Sequence, residues 1–267
     1  MLRFTKMNGA GNDFVLIDNR AEALKLSRQQ IAFLCDRHRG VGADGVLLVE
    51  PPEAGADFRM RYYNSDGTEA EMCGNGARCF SRFVNQIAGP HSEIRFETKA
   101  GIIRAEFDGD LVTLEMTQPH GLVLNRSLDI GGEKLSTHFV NTGVPHVVIF
   151  VDDVASVPVG QWGSEIRYHS AFRPGGTNAN FVEEIEAGEL VIRTYERGVE
   201  AETLACGTGV TAAGLIYAAL TNAPSPVRLE VRGGDRLEVG FRASGNSFTD
   251  VTLKGPADFT FEGSIAI

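Results

Sequence analysis

A cysteine followed by Gly-x-Gly and then an apolar helical pattern occurs twice in this chain. The copies are Met72-Cys73-Gly74-Asn75-Gly76-Ala77-Arg78 and Ala205-Cys206-Gly207-Thr208-Gly209-Val210-Thr211. The two cysteines lie 133 positions apart, about half of the 267 residues. This constrains the chain to make one kind of helix start twice, once in each half. Glycine lets backbone approach a neighbour closely and adopt positive φ without penalty. The first N–H groups of a helix have no internal partner, and the helix dipole is positive there. Such an end binds a carboxylate or phosphate and favours the thiolate of an adjacent cysteine. The dipole contributes roughly 0.3–1 kcal/mol at an exposed site. On its own, a Gly-x-Gly turn can simply shape a strand-to-helix connection. The second copy, with its own cysteine, points instead to one site that draws on both halves.

The surrounding pattern supports a duplication. Residues 3–8 and 13–18 read as strands joined at Gly9-Ala10-Gly11-Asn12, and Ser27-Arg-Gln-Gln30 fits a capping box opening a short helix. Segments 45–50 and 57–63 read as strands. After Cys73, the positions Ala77, Phe80, Phe83, Val84 and Ile87 have helical spacing, closed by Gly89-Pro90. Strand-like runs follow at 94–98, 102–107 and 111–116. In the second half, residues 190–195 lead toward Cys206. Residues 210–220 are apolar on nearly all faces, and strands follow at 227–232, 236–241 and 248–253. The fold class is therefore α+β: two pseudo-symmetric domains, each a mostly antiparallel sheet or barrel wrapped around a central helix. The expected N-terminal domain is 1–117 with the return of 256–267, and the C-terminal domain is 118–255.

Composition narrows the function classes. The net charge of −10 argues against a nucleic-acid or anionic-membrane surface. No run approaches the ~18 apolar residues of a membrane span, and the first residues lack the apolar core of a signal peptide. The expected location is the reducing cytoplasm, where Cys35, Cys73, Cys79 and Cys206 do not read as a disulfide framework. Cys35 and Cys79 read as core residues. A zinc site from Cys35, His38, Cys73 and Cys79 has poor spacing, so no metal is expected.

Cys73 and Cys206 are the candidate catalytic pair. Inverting a stereocentre by proton transfer needs a base on one face and an acid on the other. Thiols exchange protons fast and their acidity is tunable. The backbone N–H groups of Gly74, Asn75, Gly207 and Thr208 are candidates to hold the α-carboxylate as charge develops. No lysine sits in a pyridoxal-type setting and no nucleotide loop is evident, so a cofactor-free mechanism is expected. Arg197 is a candidate carboxylate clamp, though a strand-end arginine is often merely solvated.

The segments Asn8-Gly-Ala-Gly-Asn12-Asp13-Phe14, Tyr63-Asn64-Ser-Asp-Gly67, Met72-Cys73-Gly-Asn-Gly-Ala-Arg78-Cys79, Tyr195-Glu196-Arg197-Gly198 and Leu204-Ala-Cys206-Gly-Thr-Gly209 together resemble the diaminopimelate epimerase family. The resemblance runs from Phe4 to about Gly263. It implies a cofactor-independent two-cysteine epimerase that converts LL- to meso-diaminopimelate, a step toward lysine and peptidoglycan, and it implies a homodimer. It also implies that Asn12, Asn64 and Asn178 hold the far end of the substrate, with Glu196 and Arg197 in the same site. His146 and Glu196 resemble a pair that assists thiol protonation. On its residues alone, His146 before the apolar run 147–151 reads as a satisfied core histidine. Two positions depart from the family pattern: Val144 stands where many members carry asparagine, and Gly45 where many carry a side-chain amide. The loop 199–202 is also about one residue longer than in some relatives. The rival readings are a cofactor-independent racemase of the proline or histidine type and a non-catalytic binding relative. Proline-type enzymes show His after Cys-Gly, where this chain has Asn75.

Overall fold

The structure is a computed structural model describing residues 1–267. The chain divides into two compact units, Met1–Leu114 with Gly255–Ile267, and Glu115–Lys254. In the first unit β1 (Leu2–Gly9) and β2 (Asn12–Asp18) form a hairpin. Its two-residue turn, Ala10 and Gly11, has positive φ at both positions, which suits the right-handed twist of the strands. Helix α1 (Arg28–Cys35) follows, with the expected capping box between Ser27 and Gln30. Next come β3 (Gly45–Glu50), β4 (Phe58–Asn64), the short β5 (Glu69–Ala70) and α2 (Gly74–Ile87). Three strands complete the run: β6 (Glu93–Thr98), β7 (Gly101–Asp108) and β8 (Leu111–Glu115).

The second unit repeats this order. Its elements are β9 (His120–Ile130), β10 (Glu133–Asn141), β11 (Pro145–Phe150), α3 (Val159–Arg167), β12 (Asn178–Glu186), β13 (Glu189–Glu196), β14 (Ala201–Thr203) and α4 (Gly207–Thr221). They are followed by β15 (Val227–Val231), β16 (Arg236–Ser244) and β17 (Ser247–Pro256). The last strand, β18 (Asp258–Ile265), pairs antiparallel with β1 in the first unit. It fills there the place that β9 fills beside β10.

The strand orders then match. The first unit runs β18-β1-β2-β3-β4-β6-β7-β8 and the second β9-β10-β11-β12-β13-β15-β16-β17. Both orders place parallel pairs at the same two positions, β2–β3 and β4–β6 against β11–β12 and β13–β15. The remaining pairs are antiparallel, so the α+β expectation holds.

In each unit one helix touches several strands at once: α2 touches β1, β2, β3, β4 and β7, and α4 touches β10 to β13, β15 and β16. The other helix lies on the opposite face of the same strands. Strand β3 is buried at all six positions because α1 and α2 both cover it. Helix α4 is buried from Gly207 to Ala218 except at Thr208, which explains its nearly uniform apolar sequence. Helix α2 is amphipathic, yet the Arg78 side chain is fully buried on it.

Cys35 sits in the α1 core with Leu2, Phe4, Val15, Ile31, Leu34 and Val46. Burial pushes its thiol up to about 12, so it stays protonated. Cys79 is fully buried, and its thiol is likewise pushed up by burial.

Helix α3 packs on β13 through Gly163. A Cβ there would come within 2.3 Å of Tyr195 Cβ, whereas one at Gly160, on the same helix, would meet nothing within 4 Å. Gly163→Ala is therefore expected to destabilise the protein by about 1–3 kcal/mol. Gly160→Ala is expected to be neutral or stabilising by a few tenths. Paired thermal or denaturant melts measure both, and equal effects would contradict the packing.

Candidate active site

Cys73 is the N-cap residue of α2 and Cys206 the N-cap residue of α4. Both have extended backbone, with φ −139° and ψ 123° at Cys73 and φ −131° and ψ 105° at Cys206. Neither helix start receives a side-chain cap, and neither first turn carries an acid. Each thiol therefore stands at a helix end that a Ser, Asp or Asn would ordinarily occupy and satisfy.

The two glycines of the motif do different work. The second one lies against a ring in both units and, at Gly209, leaves room for the Asn180 side chain. A Cβ at Gly76 would stand 3.4 Å from the Phe14 ring, and one at Gly209 would stand 2.4 Å from Asn180 Oδ1 and 3.4 Å from His146 Cε1. Phe14 lies on β2 and His146 on β11, the matching strands. The first glycine is open instead: at Gly74 a Cβ would meet nothing within 4 Å.

In the first unit the helix start is tied into an amide network. Asn12 Nδ2 donates to Asp44 Oδ2 (2.9 Å), and Asn75 Nδ2 donates to Asn12 Oδ1 (2.6 Å). Arg78 Nη2 donates to Asn75 Oδ1 (2.9 Å), and its Nε donates to the Pro256 carbonyl (3.1 Å). Arg78 and Asp44 were not among the candidates from sequence, though both belong to this network. The signal for Arg78 was its place inside the motif, one turn beyond Asn75 on the same helix face.

Asn64 sits in the β4–β5 turn, its amide donating to Thr68 Oγ1 (3.2 Å). Gly45 pairs with it across the sheet. A Cβ at Gly45 would fall 2.6 Å from Tyr62 Cε2 and 2.5 Å from the Tyr63 carbonyl oxygen. The departure at this position thus has a partner, since the Tyr62 ring takes the space a side chain would need.

In the second unit His146 is fully buried. Its Nε2 lies 2.9 Å from Thr208 Oγ1 and its Nδ1 lies 3.2 Å from Asn180 Nδ2. Burial pushes the ring down to about 3, and the Arg197 charge adds to this. His146 is therefore neutral at physiological pH, and Thr208 stands between it and Cys206, with Thr208 Oγ1 at 3.5 Å from the sulfur. Asn180 was not a sequence candidate. The alternation of β12 in Thr177-Asn178-Ala179-Asn180-Phe181 puts Asn178 and Asn180 on one face, which was the available signal.

Asn178 is buried, with its amide nitrogen donating to the Pro145 carbonyl (2.9 Å) and its oxygen accepting from the Arg197 backbone N–H (2.8 Å). It fixes the course of the chain at Arg197. The Arg197 guanidinium is half-buried and donates to the Gly175 carbonyl (3.2 Å), whereas the nearby Arg167 and Arg193 pair with Glu200 and Glu202 and Arg197 forms no such ion pair. Burial pushes the neighbouring Glu196 carboxyl above the usual carboxylate range. Val144 is half-buried in the β10–β11 turn, where its carbonyl accepts from the Thr142 N–H (3.2 Å).

The sequence profile of diaminopimelate epimerases matches residues 4–121 and 138–259. The chain belongs to the diaminopimelate epimerase family.

It is accordingly an isomerase. A diaminopimelate epimerase of Aquifex aeolicus is 41% identical, with 99% of this chain and 98% of that protein covered. One of Aromatoleum aromaticum is 42% identical, over 100% and 99%. Among solved structures, a Bacillus anthracis phenazine biosynthesis protein of the PhzF family superposes with a TM-score of 0.75 at 15% identity, covering 100% of this chain and 99% of that one. A probable proline racemase from Agrobacterium radiobacter superposes with 0.72 at 15% identity, covering 100% and 93%. These likenesses extend the fold well beyond the family. No helix is long and apolar enough to cross a membrane.

The buried neutral His146 has a consequence for acid stability. The unfolded chain takes up a proton on it near 6.5, whereas the folded chain does so only near 3. Stability should therefore fall as pH drops through that window. Denaturant titrations from about pH 7 to 4 should show a shallower loss for His146→Gln than for the native chain, and an unchanged slope would mean that folded His146 binds the proton.

Proposed function

We propose that this chain interconverts LL- and meso-diaminopimelate by proton transfer at one α-carbon, without a cofactor, with Cys73 and Cys206 as the two proton carriers. The observation that carries this reading is the repeated helix start, where in each unit a cysteine occupies the N-cap and no side chain caps the helix. Membership of the family supports it, as does the inert setting of the other two thiols.

One cysteine starts as thiolate and takes the α-proton, so the Cα–H bond breaks, an S–H bond forms and the electron pair stays on the substrate. The other starts as thiol and delivers its proton to the opposite face. The roles exchange with the direction of reaction. The α-proton is a very weak acid, so the charge spreading onto the α-carboxylate must be stabilised as it forms. We assign this to the backbone N–H groups at Gly74-Asn75 and Gly207-Thr208. Arg197 is assigned to the distal carboxylate, because it forms no ion pair of the kind that Arg167 and Arg193 make. Asn12, Asn64 and Asn178 are assigned to the far end of the substrate, Asn178 in part through its hold on Arg197. Glu196 and His146 assist, His146 as a neutral group acting through Thr208. The reading extends to a homodimer in the cytoplasm.

The test is deuterium wash-in at Cα from heavy water over a panel of amino acids, with no pyridoxal phosphate or metal added. Exchange with diaminopimelate is expected, and exchange confined to proline or histidine would replace the substrate assignment. Cys73→Ala and Cys206→Ala should each lower kcat at least a hundredfold, on the order of what a lost proton carrier costs. Cys35→Ala and Cys79→Ala should lower stability and leave turnover near normal. Arg197→Lys should cut kcat/KM roughly tenfold, since an ammonium cannot reproduce a bidentate fork. Unchanged kcat/KM would leave Arg197 as a surface charge.

A further inference from the structure

The polar chain behind Cys206 runs in one direction only. Asn180 is fixed at three points: its oxygen accepts from Thr194 Oγ1 (3.0 Å), and its nitrogen donates to the Val147 carbonyl (2.8 Å) and lies 3.2 Å from His146 Nδ1. The amide cannot be reversed, since that would set two oxygens against each other at Val147. His146 Nδ1 therefore faces a donor and must be the unprotonated nitrogen. The ring is neutral, so its one proton sits on Nε2, which donates to Thr208 Oγ1 (2.9 Å). Thr208 accepts there, and its own hydrogen is left for Cys206 Sγ at 3.5 Å. The Thr208 backbone is held as well, its carbonyl accepting from Thr142 Oγ1 on β10 (2.9 Å).

We propose that Thr208 is a positioning residue whose hydroxyl, oriented by the chain Thr194–Asn180–His146–Thr208, donates to the Cys206 sulfur and makes Cys206 the cysteine held as thiolate before substrate binds. This rests on the reading of Cys206 as a proton carrier. A hydroxyl that donates to sulfur favours the thiolate, adding to the helix end. After Cys206 takes up the α-proton, the hydroxyl still donates to a sulfur lone pair, so the new S–H points away from Thr208 and stays available for return. No proton leaves Thr208 or His146 during the cycle.

The matching position in the first unit is Asn75. Its carboxamide donates to Asn12 Oδ1 and accepts from Arg78 Nη2, contacts unlike those of Thr208. Of the titratable groups facing this chain, His146 on β11 is neutral and feels the Arg197 charge just beyond the end of β13, where the neighbouring Glu196 lies beside Thr203. The first turn of α4 carries no acid.

The test is alkylation of the substrate-free, full-length enzyme by iodoacetamide between about pH 5 and 10. Rates at Cys73 and Cys206 are read separately by peptide mass spectrometry, and midpoints rather than absolute rates are compared because the two thiols differ in exposure. Cys206 should reach its midpoint at lower pH than Cys73. Thr208→Val should move the Cys206 midpoint up by roughly one pH unit, so that labelling below it slows about tenfold. Thr208→Ser, which keeps the hydroxyl, should restore the native midpoint, and the Cys73 midpoint should stay in place in both variants. A Cys73 midpoint below that of Cys206 in the native enzyme would overturn the assignment, and so would an unmoved Cys206 midpoint in Thr208→Val. Labelling needs no turnover. An enzyme that showed these midpoints but failed to exchange the α-proton would therefore refute the proton-carrier reading and leave the orientation of Thr208 standing.

Discussion

The starts of α2 and α4 set the terms for everything around them. A helix packed against several strands must still satisfy the N–H groups of its first turn, and here the N-cap side chain, a cysteine in both helices, makes no capping hydrogen bond. A helix end of this kind favours an anionic partner. The rest of each unit packs around that helix start. Gly209 leaves room for the Asn180 side chain on β12, Phe14 and His146 lie against the second glycine of each motif, and Asn75 stands in the first turn of α2 itself.

The two units share a backbone plan but not its polar side chains. In the first, an acid, two amides and a buried guanidinium form one network, Asp44–Asn12–Asn75–Arg78. In the second, hydroxyl, amide and imidazole form a chain that ends at a sulfur. A buried charge such as Arg78 is tolerated only with several acceptors around it, and removing one would strand the guanidinium. The networks are consequently directional and hard to rearrange. Equivalent backbone positions two residues beyond each thiol therefore carry different side chains in different networks, Asn75 with Asn12 and Arg78 in one unit and Thr208 with His146 in the other.

Much of the fold was legible in the sequence. The hairpin turn at Ala10-Gly11, the capping box at Ser27 and the all-apolar α4 each rest on local chemistry that tertiary contacts did not overrule. The segment from His120 to Glu186 was not legible as a repeat. Strand β9 is exposed at most of its positions, so it lacks the alternation that marks a half-buried strand, and nothing in it resembles its counterpart β18. The counterpart itself comes from the far end of the chain, which hides the equivalence from any comparison made in sequence order.

The sequence alone determined that the chain makes two cysteine-led helix starts, that Cys35 and Cys79 are core residues, and that the family resemblance spans nearly its whole length, because local patterns and motifs carry that information. Only the tertiary structure decided what stands behind each motif. The neutral state of His146 depends on its complete burial, and its tautomer depends on Asn180, held by Thr194 and Val147 from two other strands. The space at Gly45 depends on the ring of Tyr62 across the sheet. Hydrogen-bond direction and excluded volume are properties of groups brought together from distant parts of the chain, and no spacing along the sequence encodes them.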